Sequence, residues 1–421
     1  MLLRASFVGL LATTVFVLAG HGQANSSDPI SLQERIYIAS RVYSTIQSYF
    51  NVWDDKNGFD LDQSYRTYLQ NILRSDDRRE FDLETMRFVA LLRNGHTWFS
   101  DRWLQEKYGS PLGFYAEVIQ GKWMVTRSDL PQLQLGDIVT AIDGKETEDF
   151  FQANRQFLSD SNERAQRTDL FTSPYLFPQQ FALTLGDGRK VNITRMPDVN
   201  RPTPDLQATG RWLEPGQFAY IRIPSFHGGV ASESSAIALV RKFKDAHGLI
   251  IDVRGNLGGT SSLELKAALM ERPFRAWRES LGRFSSARGN HAELIFGGDL
   301  ARPYRGFDSG IYKGRLVILI DGSCASACED FVMPFKDNHR ATLIGDTTFG
   351  SYSDTYFTTF ENGMMLNTAT TRVDFPDGNP FESIGISPDI AVERTVDEIR
   401  SHADSALTRG LEMLRSGKDN E

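Results

Sequence analysis

Three short stretches, Phe218 to Ile223, Gly248 to Val253 and Leu316 to Ile320, are dominated by apolar and β-branched residues and lack the polar–apolar alternation of a surface strand. Strands of that composition are buried on both faces, which requires helices packed above and below the sheet. Helical stretches such as Ser232 to Asp245 separate the runs. Strand and helix in turn predict an α/β core over residues 205–421. A chain of 421 residues has room for two or three domains.

The segments before the core divide differently. Met1 to Arg4 carry positive charge, Ala5 to Gly20 are almost wholly apolar, and Gly22-Gln23-Ala24 is a small-residue cleavage pattern. Residues 1–24 therefore read as a secretory signal peptide, too short in its apolar part for the ~20 residues of a membrane span. Residues 28–103 form a helical region. Ser31 to Glu34 is a capping box, followed by Ile36, Ala39, Tyr43, Ile46 and Phe50 at helical spacing. A second helix is predicted from Asp82, with Met86, Val89, Ala90 and Leu92, ending at an Asn94-Gly95 cap just before His96. Residues 104–196 are short strands and turns, including Pro111-Leu112-Gly113-Phe114 and an Asp143-Gly144 hairpin turn. A linker with Pro197, Pro202 and Pro204 follows, and Thr395 to Glu398 caps a C-terminal helix with Ile399, Ala403, Ala406 and Leu411 inward.

Composition excludes several function classes. Hydrophobic residues at 40% and charged residues at 24% are an ordinary globular balance. A net charge of −8 argues against tracking nucleic acid, which needs clustered Lys and Arg. No stretch after the leader reads as transmembrane. The two cysteines, Cys324 and Cys328, are too few for a disulfide scaffold, and with their neighbours they cannot make a zinc site. They flank Ser326, and their spacing allows either a bridge or two packed thiols. No cofactor or metal is expected.

Two segments carry chemistry. In Leu316 to Phe331 a buried strand runs through a Gly-containing turn to Ser326, and a helix continues through Phe331 towards Lys336. A serine there meets the orphan N–H groups and dipole of a helix N-terminus, as an acyl-transfer nucleophile and its oxyanion hole require. Serine is also a common helix cap, so the segment alone does not decide. In Gly248 to Gly259 a strand enters the turn Asn256-Leu257-Gly258-Gly259, which serves equally as a donor loop or a structural turn.

The Asp-Val-Arg-Gly-Asn-Leu-Gly-Gly turn, Cys-Ala-Ser-Ala-Cys-Glu, the run from Asp337 to Gly345 and Gly385-Ile-Ser-Pro-Asp389 occur in this order. Together they resemble the tail-specific (C-terminal-processing) serine peptidase family, which includes the tricorn core protease. The resemblance implies a crotonase-like layered α/β core with a helical N-terminal region and an inserted PDZ-like β domain. In its Ser-Lys branch a lysine follows a Thr-x-Gly motif. Here Thr348-Phe349-Gly350 is followed by Ser351, and no lysine occurs between Lys336 and Lys418. The tricorn-like branch implies Ser326 as nucleophile, His96 as general base and Glu382 to orient it, with Glu329 and Asp354 as competitors for the acid and His227 and His339 for the base. That branch places serine before the histidine, where this chain has Gly95. The oxyanion donors would be Ala327 together with Gly258 or Gly259. Leu112, Gly113 and Phe114 would form the loop that receives a polypeptide tail, with a peptide added to the neighbouring strand edge. The implied activity is that of an exported, periplasmic or extracellular, metal-independent serine endopeptidase acting on polypeptides. The rival is a non-catalytic binder of hydrophobic ligands or peptide tails on the same fold, as in interphotoreceptor retinoid-binding modules.

Overall fold

A computed structural model describes residues 29–53, 58–74, 76–195, 206–285, 290–296 and 310–417. The predicted leader of residues 1–24 and the Pro197–Pro204 linker lie outside the described residues. No helix among the described residues is long and apolar enough to cross a membrane.

The N-terminal elements are α1 (Leu32–Tyr49), α2 (Leu61–Ile72), α3 (Arg78–Ala90), the short strand β1 (Trp98–Asp101) and α4 (Arg102–Tyr108). Ser31 caps α1 by accepting the Glu34 N–H, half of the predicted box. The buried face of α1 is Ile38, Ala39, Val42 and Ile46, whereas Ile36 is 44% exposed and corrects the predicted stripe. α3 begins at Arg78 rather than Asp82, because Asp77 accepts the Glu80 N–H and makes the cap. It ends at Ala90. Arg93, at φ 44°, takes the left-handed turn that had been expected of the Asn94-Gly95 pair.

A second group contains β2 (Phe114–Ile119), β3 (Lys122–Ser128), β4 (Val139–Ile142), β5 (Lys145–Glu146), α5 (Thr147–Asn154), α6 (Glu163–Leu170), β6 (Gln180–Leu185) and β7 (Lys190–Thr194). β2 and β3 pair as a hairpin, and the other four strands form a sheet in the order β5-β4-β6-β7. Asp143 and Gly144, both at positive φ, make the tight turn between β4 and β5 that their sequence predicts.

The core runs through β8 (Thr209–Glu214), β9 (Phe218–Arg222), α7 (Gly229–Lys242), β10 (Gly248–Asp252), α8 (Leu263–Leu269), β11 (Arg278–Ser285), β12 (Asn290–Phe296), β13 (Arg315–Ile320) and α9 (Ala327–Asp337). It continues with β14 (Thr342–Gly345), β15 (Thr355–Thr359), β16 (Met364–Ala369), β17 (Thr371–Asp374), β18 (Ile390–Ala391), α10 (Val396–Ser401) and α11 (Ser405–Ser416). The order β18-β14-β13-β10-β9-β8 forms a six-stranded sheet, parallel except for β8.

The three apolar runs are its central strands, and both faces are covered. Leu249, Ile251, Ile318 and Ile320 pack with Val240, Leu265 and Phe331 of α7, α8 and α9. Ile250, Val317, Leu319 and Ile344 face Ala406, Met413 and Leu414 of α11. Each such side chain contributes about 1.5–3 kcal/mol relative to exposure, which explains why the strands read as unbroken apolar runs.

The predicted single C-terminal helix is two. His402 adopts the left-handed conformation, Ala403 is exposed, and Asp404 caps α11 by accepting the Leu407 N–H. Asp404 is held there by both terminal nitrogens of Arg254, whose guanidinium is also anchored to Asp252 at the end of β10. That pairing fixes where the chain restarts its helix.

One pairing joins the two ends of the chain. β1 runs antiparallel to β16, with Trp98 opposite Asn367, in the sheet β1-β16-β15. The segment just before β1, which contains His96, is thereby carried to the C-terminal ends of β10 and β13.

Candidate active site

After β13 the chain turns through Asp321 to Ala325, and α9 begins at Ala327. Ser326 sits between them at φ 56° and ψ −122°. A non-glycine residue held there costs on the order of 1–3 kcal/mol and persists only where its surroundings impose it. The Ser326 N–H donates to the Ser351 carbonyl at 3.0 Å, and the Ala325 N–H donates to the Asn256 carbonyl at 3.1 Å. These bonds aim the Ser326 hydroxyl outward at the start of α9.

His96 is positioned from the other end of the chain. Buried Asn94 accepts the His96 N–H at 3.1 Å and the Thr97 hydroxyl at 3.0 Å, while Asn367 of β16 donates to the His96 carbonyl at 2.9 Å. The imidazole stands between two hydroxyls, with Nε2 2.9 Å from Ser326 Oγ and Nδ1 2.9 Å from Ser351 Oγ. Ser351 Oγ donates to Glu382 Oε1 at 3.2 Å. That carboxylate also accepts from Asn94 Nδ2 at 2.7 Å and from Ser161 Oγ at 2.5 Å.

Counting protons assigns the tautomer. Ser351 has one hydrogen and gives it to Glu382, so His96 Nδ1 carries the proton donated to Ser351 Oγ. Nε2 is then bare and accepts from Ser326. Close packing of protein around the ring pushes the His96 pKa down to about 4, so the imidazole is neutral near pH 7.

Three predicted site residues, Ser326, His96 and Glu382, are brought into one hydrogen-bonded chain, but with Ser351 inserted between base and acid. Gly95 makes this possible, since a Cβ there would stand 3.0 Å from Ser351 Oγ. The hydroxyl of Ser351 occupies the room left by the missing side chain before the histidine. Its only sequence signal was its place directly after Thr348-Phe349-Gly350. Ser161 had none. It accepts the Gly95 N–H at 3.0 Å and donates to Glu382, and neighbouring Asn162 donates to the carbonyls of Phe349 and Ser383. The second group of elements is thus fastened onto the site.

The imidazole is bonded to Ser326 and Ser351 rather than to any of the competing residues. Glu329 is fully buried and accepts from Thr348 Oγ1 at 2.5 Å, Gly350 N at 2.7 Å and Ser351 N at 3.0 Å, fastening the loop that bears Ser351 onto α9. Burial pushes its pKa up to about 8 against the pull of those donors. The pKa of Asp354 is raised by burial and by nearby Asp330. His339 follows the C-terminal end of α9. His227 is exposed, bonded to Ser225 at 3.0 Å, and lies beside Gly259.

The glycine turn corrects one expectation. Gly258 touches the nucleophile, and a Cβ on it would lie 2.8 Å from Ser326 Cβ and 2.9 Å from Ala327 N. Its own N–H, however, donates to Asn256 Oδ1 at 2.9 Å, the Asn side chain bending over its own turn, so Gly258 is not a free donor. In the second group, Leu112 and Phe114 are buried in the module's own core, so only backbone is left there to meet a ligand. The Gly113 carbonyl accepts the Asp129 N–H. Buried Tyr115 reaches from β2 to the Thr168 carbonyl of α6 at 3.1 Å.

Among the described residues no cluster of His, Cys, Asp or Glu could hold a metal ion.

Residues 217–392 match the family model described as peptidase family S41. The carboxyl-terminal-processing protease of Synechocystis sp. is 25% identical over 292 residues, covering 68% of this chain and 62% of that protein. The carboxy-terminal-processing protease of Bartonella bacilliformis is 39% identical over 84 residues, covering 20% and 19%. The chain therefore spans less than two thirds of the length of these relatives. Mature CPAF superposes with a TM-score of 0.71 over 92% of this chain and 98% of that chain, at 14% identity, a likeness of fold. Residues 217–392 are a peptidase family S41 domain, in a chain homologous to the carboxyl-terminal-processing proteases.

Proposed function

We propose that this chain is a serine endopeptidase that hydrolyses polypeptides through an acyl-enzyme on Ser326. The observation that carries the reading is the neutral imidazole of His96, held 2.9 Å from the Ser326 hydroxyl on one side and 2.9 Å from Ser351 on the other. Ser326 Oγ attacks the scissile carbonyl as Nε2 takes its proton, and the same nitrogen then protonates the leaving amine. The imidazolium formed in between is stabilised by Glu382 through the Ser351 hydroxyl. Ala327 and Gly259, whose N–H groups have no partner among the described residues, are the oxyanion donors in this reading. Water completes the cycle by hydrolysing the ester. Residues 104–196 act as a PDZ-like element that positions the polypeptide, with the backbone around Gly113 as its contact. The leader directs the chain out of the cytoplasm.

A fluorophosphonate probe tests the reading on purified protein. Adduct on Ser326 in an intact-mass and peptide map, with cleavage of an unstructured polypeptide, is the expected result. An unlabelled protein that also leaves the polypeptide intact returns the chain to the rival class of ligand-binding proteins.

The pH dependence carries a sign. Only neutral His96 accepts a proton, so the labelling rate should stay level from about pH 8 to 5 and halve near pH 4. A half-point at 6 to 7 would contradict the buried, desolvated base. The same depressed pKa makes stability fall as pH drops from 6.5 towards 4, because the unfolded chain takes up the proton first.

Gly258→Ala adds a Cβ against Ser326 at a residue with φ 94°. Displacing the nucleophile by a fraction of an ångström is expected to lower the labelling rate by about 10²-fold. Unchanged labelling would mean that the turn yields without moving Ser326.

A further inference from the structure

The chain contains two cysteines, and they are joined as a disulfide, Cys324 to Cys328, four positions apart with Ser326 midway between them. Both are fully buried in the core cluster that contains Val253 and Phe331. Each end of the bridge sits on a different part of the site. The Cys324 N–H donates to Asp321 in the turn after β13, and its carbonyl accepts the Phe349 N–H at 2.9 Å, anchoring the loop that leads to Ser351. Cys328 lies in the first turn of α9, the helix whose N-terminus faces the reaction. The bridge therefore ties together the turn that presents the nucleophile, the helix N-terminus and the loop of the relaying hydroxyl. Between its two ends lies Ser326, in the left-handed half of backbone space that only a constrained L-residue retains.

The ring it closes is short, so its effect on the unfolded chain is small compared with that of a long-range bridge. Its influence falls on the conformation of the residues it encloses. We propose that the Cys324–Cys328 disulfide is a positioning element for Ser326, so that the reactivity of the nucleophile depends on the oxidation state of this pair. The inference rests on the hydrolytic reading above. The redox step balances with an external dithiol: two successive thiolate attacks break the protein S–S bond, two electrons and two protons pass to Cys324 and Cys328, and the reductant closes to its own disulfide.

The experiment compares the second-order rate of fluorophosphonate labelling in three preparations. These are oxidised wild type, wild type reduced with dithiothreitol, its reduction verified on a separate denatured aliquot by the mass of two added alkyl groups, and the Cys324→Ala/Cys328→Ala double variant. The reduced protein is expected to label at least about tenfold more slowly and to recover when reoxidised with oxidised glutathione. The double variant should show the same loss, be indifferent to reductant, and melt within a few degrees of wild type. Loss of rate at nearly constant Tm separates positioning from simple stabilisation. Reduced wild type that labels at the oxidised rate overturns the proposal, as does a double variant whose lost reactivity merely tracks unfolding. Absence of labelling in the oxidised protein would be a different failure, that of the hydrolytic reading itself, and would remove this inference with it.

Discussion

Alanine at Ser326 is expected to abolish fluorophosphonate labelling and to lower polypeptide hydrolysis by about 10⁴- to 10⁶-fold. Alanine at His96 should cost about 10³- to 10⁴-fold, because a serine hydroxyl without a base stays protonated at neutral pH. The two losses should not add, since each removes the same proton-transfer step, and the double variant should be little worse than Ser326→Ala. Neither change opens a large cavity, so the variants should keep the wild-type Tm within a few degrees. A His96→Ala protein that still labels at a tenth of the wild-type rate would show that another group takes the proton. His227, beside Gly259, would be the first residue to replace.

Ser351→Ala is expected to reduce kcat by about 10²- to 10³-fold with KM nearly unchanged. The hydroxyl holds His96 Nδ1 at 2.9 Å and connects it to Glu382. Without it the imidazole loses the acceptor that fixes its tautomer and the path by which its positive charge is stabilised. A loss of that size corresponds to about 2.7–4 kcal/mol of transition-state stabilisation. Glu382→Gln should be milder, about tenfold, because an amide oxygen can still accept from Ser351. That ranking is the opposite of what a direct carboxylate–imidazole pair would give. If Ser351→Ala labels as fast as wild type while Glu382→Gln is crippled, the relay is wrong.

What the sequence disclosed follows from how local each signal is. Unbroken apolar runs report burial on both faces, so the central strands β9, β10 and β13 were legible, and so was the Asp143-Gly144 turn. Helix limits were less so. A side-chain cap decides where α3 begins, and Asp77 outcompeted the periodicity that pointed to Asp82. The break at His402 depends on Arg254, about 150 positions away, pulling on Asp404. The nucleophile's setting was visible because strand, turn and helix are contiguous. Ser351 was not, because a serine bridging a histidine and a glutamate has no spacing of its own, and only the packing of Gly95 against it shows that room was left. The engagement of the Gly258 N–H was equally hidden, since it turns on the rotamer of one asparagine.

The antiparallel pairing of β1 with β16 also bears on how the site comes together. His96 and Ser326 are separated by 230 positions, and the backbone of the histidine is held from Asn367, further along still. Translation delivers the chain from its N-terminus. A polypeptide still lacking Asn367 already contains both reacting side chains but not β16, the strand with which β1 pairs beside the histidine. The constellation of His96, Ser326, Ser351 and Glu382 is therefore complete only after most of the chain has been made.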